Sequence, residues 1–130
     1  MRSIFFLFLL CGIFGLAANA ADERKEPKPL GPMPKDRDLS GVYSIDGDKE
    51  NVVSVAKRGD VYYLGWALPA QPVSYVGVGL VEGETISVGW TSSNGVTGVS
   101  VYRIEGDKFV GRWAARGIVQ AVPETLEKLK

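Results

Sequence analysis

Rings, not ionisable groups, are what this chain offers a ligand, and their spacing is regular. Trp66, Trp90 and Trp113 each stand seven residues after a glycine, Gly59, Gly83 and Gly106, and each glycine precedes an acid, Asp60, Glu84 and Asp107. Indole and phenol rings supply apolar stacking area with a polar edge. Groups for covalent chemistry are scarce. The 130 residues include no His, which removes the commonest general base and metal ligand and leaves Ser74, Ser87 and Ser100 without their usual activator. Asp60, Glu82, Glu84, Glu105 and Asp107 flank turn glycines, positions that do not predict burial, whereas a general acid needs burial. The densest acidic run, Asp46-Gly47-Asp48-Lys49-Glu50, has the oxygen ligands calcium prefers. Lys49 interrupts it and the twelve-residue spacing of an EF-hand is missing, so it reads as a solvated hairpin turn. Arg103 and Arg112 are expected to pair with acids on adjacent strands. These residues predict a protein that is not an enzyme and uses no cofactor or metal.

The same spacing defines the elements that carry the rings. Successive tryptophans are 24 and 23 residues apart, the length of two strands and two turns, so the repeating unit is a β-hairpin. Asp46-Gly47, Gln71-Pro72, Asn94-Gly95 and Arg116-Gly117 supply the intermediate turns, with residue types that tolerate the backbone of tight turns. Seven turns imply eight strands, at 41–45, 51–57, 60–67, 73–81, 84–90, 96–104, 108–114 and within 118–128. A competing reading makes the last segment a short helix from Pro123. Period-2 alternation places Tyr62, Leu64, Trp66, Ile86, Val88, Trp90, Phe109, Gly111 and Trp113 on one face, with Tyr75, Gly77, Gly79, Val81, Gly98, Ser100, Tyr102 and Ile104 on the return strands. The expected fold is therefore all-β: an antiparallel meander of about eight strands, closed as a small up-and-down barrel or rolled as a sheet, which buries the aromatic stripe. Close packing favours a filled interior, with the alternative that the small residues leave a cavity. Outward Val76, Val78 and Leu80 mark a candidate surface for a protein partner or a second copy of the chain.

Residues 1–20 read as a cleaved signal peptide: Arg2, an apolar run from Ile4 to Leu16, and Ala18-Asn19-Ala20 as the cleavage site. The run is shorter than the roughly 20 residues of a membrane span, so no span is expected after cleavage. Cys11, the only cysteine, leaves with the leader, and the mature chain has no thiol. Residues 21–38 carry ten charged residues and four prolines, the composition of a flexible tether, and the β-domain spans 39–130. Export implies a secreted or periplasmic protein. The 15 basic and 15 acidic residues balance, which argues against a nucleic-acid partner.

Phe109-Val110-Gly111-Arg112-Trp113 resembles the opening of a MORN repeat, and the Gly-x-Trp element resembles strand motifs of avidin- and lipocalin-type barrels. Over 41–126, Gly41-Val42-Tyr43, Tyr62 to Trp66, Tyr75-x-Gly77-Val78-Gly79-Leu80, Ser87-Val88-Gly89-Trp90, Val101-Tyr102-Arg103-Ile104, Gly111-Arg112-Trp113 and Glu124-Thr125-Leu126 are together similar to small exported bacterial β-domains. Members of that group are sometimes labelled fibronectin-binding proteins. The resemblance implies an exported β-domain and assigns no binding residue. Two functions are expected: a non-catalytic binding or protein-interaction module, and a small barrel that takes an apolar or aromatic ligand among Trp66, Trp90, Trp113, Tyr62, Tyr75 and Tyr102. A hydrolase using paired carboxylates is the minor alternative.

Overall fold

Alternation and turn chemistry account for the elements of the computed structural model, which describes residues 37–130. The leader expected over 1–20 and the tether up to residue 36 lie outside the described residues. Eight strands follow in order: β1 (Gly41–Ile45), β2 (Asp48–Arg58), β3 (Val61–Ala67), β4 (Tyr75–Glu82), β5 (Thr85–Ser92), β6 (Thr97–Glu105), β7 (Lys108–Ala115) and β8 (Val122–Lys128). Each pairs antiparallel with the next, and β1 pairs with β8 through Tyr43↔Lys128, Ser44↔Glu127 and Ile45↔Leu126. The sheet is thus a closed up-and-down barrel rather than an open roll. The segment from Pro123 is strand, not helix: Val122, Glu124 and Leu126 sit opposite Trp113, Gly111 and Phe109. Strand pairing on both sides satisfies backbone groups that a short terminal helix would leave open.

The two ends of the barrel differ. The turns β2–β3, β4–β5 and β6–β7 are tight and lie at one end. There Gly59, Gly83 and Gly106 have φ of 62°, 58° and 61°, the left-handed region that glycine enters without a Cβ penalty. The other end carries the Asp46-Gly47 turn and the longer connections 68–74, 93–96 and 116–121.

The tight-turn end is packed shut. Tyr43 stacks on Phe109 with ring centroids 4.7 Å apart, Tyr102 lies 6.1 Å from Phe109, and Val81, Ile86, Ile104 and Leu126 fill the remaining space. Leu39 plugs the end from outside the strands, with its carbonyl accepting from the Tyr43 hydroxyl at 2.7 Å. The Arg37 carbonyl accepts from the Tyr62 hydroxyl at 2.9 Å and from Lys57 Nζ at 3.1 Å. Arg37, whose composition places it with the tether, therefore lies against the barrel.

Candidate functional site

The repeat explains why the open end is aromatic. Strands β3, β5 and β7 all start from a glycine turn at the closed end and rise about 3.3 Å per residue. A fixed offset of seven residues brings Trp66, Trp90 and Trp113 to the same level of the barrel, and the odd offset keeps all three on the face of the buried residues below them. Each indole has at least one small or flat neighbour on the adjoining strands. Trp90 lies between Gly77 and Gly98, Trp113 between Ser100 and Val122, and Trp66 between Val53 and Tyr75. The rings meet edge to face: Tyr75 and Trp90 centroids are 5.8 Å apart at 70°, and Trp90 and Trp113 are 6.1 Å apart at 73°. This is the arrangement that ring quadrupoles favour.

The space beside the glycines is occupied rather than empty. A Cβ on Gly98 would collide with the Trp90 ring, and one on Gly77 would stand 3.1 Å from Trp66 Cη2 and 3.0 Å from Val88 Cγ1. Gly79 is covered by Val88 and Ile86. The opening lies above them, between the rings. There a cavity of about 510 Å³ is walled by Trp66, Tyr75, Trp90 and Trp113, rimmed by Leu68, Val96 and Ile118, and floored by Ser100 and Glu124. The glycines thus make room for side chains, as the filled reading expects, and do not themselves create the hollow, which lies at the mouth above them. The rim is tied to the barrel by local bonds: Tyr75 donates its hydroxyl to Gln71 Oε1 at 3.1 Å, and the Ser92 hydroxyl accepts from the Val96 N–H at 2.9 Å.

Glu124 is the chemically distinctive group. It is half-buried on β8, and its Oε1 accepts a 2.6 Å hydrogen bond from the Tyr102 hydroxyl on β6. Gly111 on β7 stands directly between these two residues in the sheet. No side chain there blocks the phenol, and an added Cβ would run into the Val101 carbonyl of the neighbouring strand. Burial raises the Glu124 carboxyl above the usual carboxylate range, the Tyr102 bond pulls against that rise, and the negative charge of Asp46 adds to it. Burial and the adjacent carboxylate push the Tyr102 phenol up. Asp46 lines the same cavity, and its Oδ1 accepts from the Thr125 N–H at 2.8 Å. A raised carboxyl in an aromatic cup can hold a proton for a neutral acceptor or serve as counter-charge to a cation.

Of the six rings expected at an interior site, Trp66, Trp90, Trp113 and Tyr75 line the cavity. Tyr102 lies beneath it and orients Glu124, and Tyr62 points to the closed end. Val76, Val78 and Leu80 face outward and are 58%, 49% and 50% exposed, with Val99 and Val101 of β6 beyond the small residues of β5. In the Asp46–Glu50 run, Asp48 accepts from the Glu50 N–H at 2.9 Å and from Asn51 Nδ2 at 3.0 Å. Both Asp48 carboxylate oxygens are thus engaged locally, at the start of β2. Glu124 is the residue that motif reading misses, although stepping back two residues from Leu126 along an inward face leads to it. No family model and no curated protein matches the chain.

Proposed function

We propose that the chain is a non-catalytic, exported small-molecule-binding barrel whose site is the aromatic mouth. One observation carries this reading: a cavity of about 510 Å³ opens where three tryptophans and Tyr75 converge above a packed lower half. Ligand sites are concave, mostly apolar and supplied with a few oriented polar groups, and this mouth has that composition. Its reactive inventory is two carboxyls, that of Glu124 raised, with hydroxyls and two amides, and the chain has no histidine, which suits binding and orientation better than group transfer. The filled lower half supports the mouth by fixing the strand positions from which the indoles project.

The test uses the tryptophans as reporters. Titration with a panel of small aromatics and short-chain lipids should give a saturable change in intrinsic emission for at least one apolar aromatic member. Flat emission across the panel overturns the reading.

A second reading, a protein-interaction module, rests on the exposed Val76, Val78 and Leu80 of β4 and the parallel ridge of Val99 and Val101 on β6. The β5 residues between them, Ser87 and Gly89, are small, so the outer face forms a shallow apolar trough.

A further inference from the structure

We infer that the mouth selects organic cations, taking a quaternary or protonated amine on an aromatic or apolar body, with the indoles as cage and Glu124 as counter-charge. The inference rests on the small-molecule reading above and narrows it to a ligand class. The cavity wall holds two carboxylates, Asp46 and Glu124, and no lysine or arginine. None of the ion pairs among the described residues, Arg37–Glu84, Arg103–Glu105 and Lys108–Glu127, reaches either of them. Among the described residues the negative charge of the mouth therefore has no cationic partner.

The rings add a second attraction for the same charge. Tyr75, Trp90 and Trp113 meet at 70° and 73°, so successive ring planes form perpendicular walls rather than a stack. A cation within about 6 Å of an aromatic centroid is attracted by the electron-rich face, most strongly for indole, and boxes of this kind hold ammonium groups without direct hydrogen bonds. A neutral apolar ligand would gain from the same area but would leave the desolvated Glu124 carboxylate without compensation, and an anion would oppose it. The Tyr102 hydrogen bond fixes Glu124 through Oε1, leaving Oε2 as the oxygen to meet the ligand.

Three probes that share a benzyl body and a tetrahedral head separate the possibilities: benzyltrimethylammonium, neutral neopentylbenzene and the benzylsulfonate anion. They are titrated into the full chain by tryptophan fluorescence and calorimetry, alongside Glu124→Gln, which keeps an acceptor for Tyr102. The ammonium probe should bind about tenfold tighter than the sulfonate and lose about tenfold in Glu124→Gln, while neopentylbenzene changes by less than about twofold. An ammonium affinity unmoved by Glu124→Gln, or a sulfonate that binds more tightly, overturns the cation inference and leaves the pocket reading standing. Saturable binding of neopentylbenzene alone does the same. Silence of all three probes, with no response across the wider aromatic and lipid panel, removes both. The comparison among probes in the unmodified protein does not depend on the variant folding.

Discussion

Glu124 combines the two properties that make a residue informative about pH: burial and definable neighbours. The groups that face it are the Tyr102 hydroxyl from β6 and the Asp46 carboxylate from the β1–β2 turn. Its folded-state pKa lies above the ordinary carboxylate value, chiefly through desolvation, so the folded protein binds this proton more tightly than the unfolded chain does. The stability it contributes is fully present below the unfolded carboxylate pKa and is lost as pH rises through the raised folded value. Glu124→Gln should therefore melt above the unmodified protein at pH 7, the difference shrinking towards pH 4, as measured by thermal unfolding across that range. A variant that is less stable at pH 7 would mean that the charged carboxylate is favoured where it stands. Sequence reading passes over this residue because Pro123-Glu124 is also a good helix start, and a carboxyl's burial depends on the strand that closes over it. The tryptophans are legible for the opposite reason, since their offset from each turn glycine is local.

At the scale of the strand, glycines with the same local sequence character have different roles, decided by the face they occupy. Gly98 on β6 lies under the Trp90 indole, whereas Gly89 on β5 faces outward, with open space where a Cβ would stand. Gly98→Ala should cost about 1–3 kcal/mol by overpacking, displace the Trp90 ring and perturb its emission. Gly89→Ala should lie within about 0.5 kcal/mol of the unmodified protein, because a surface strand position loses nothing by gaining a methyl group. Urea unfolding of the two variants checks the pair, and equal destabilisation would contradict the assignment of faces. The register that separates these glycines follows from the turns and the two-residue alternation, and it is readable along the chain. What alternation does not carry is the vertical division of the barrel into a packed half and a hollow one. That division depends on Leu39 and on the Tyr43–Phe109 stack, which join residues far apart in sequence.

For the whole molecule, closure decides how association can occur. Each strand of the barrel is paired on both sides, including β1 with β8, so among the described residues no free edge strand remains to recruit another, and the barrel meets a second protein through side chains on a face. The apolar face is the β4–β6 trough, whose ridges Val76, Val78, Leu80, Val99 and Val101 surround a floor of small residues. Val78 is central to the first ridge and pairs with Tyr63 on one side and Gly89 on the other. A carboxylate there would be placed against any apolar partner surface and desolvated on contact, yet in the isolated barrel it remains in water. Val78→Asp should therefore shift the melting temperature by no more than about 4 °C, the range of a surface substitution in a domain of this size. If the trough joins two copies of this chain, sedimentation equilibrium of the unmodified protein shows a concentration-dependent dimer and Val78→Asp is monomeric at the same concentrations. Identical sedimentation of the two removes self-association through this face, and it leaves the mouth, which opens at the end of the barrel, to be judged by its own ligands.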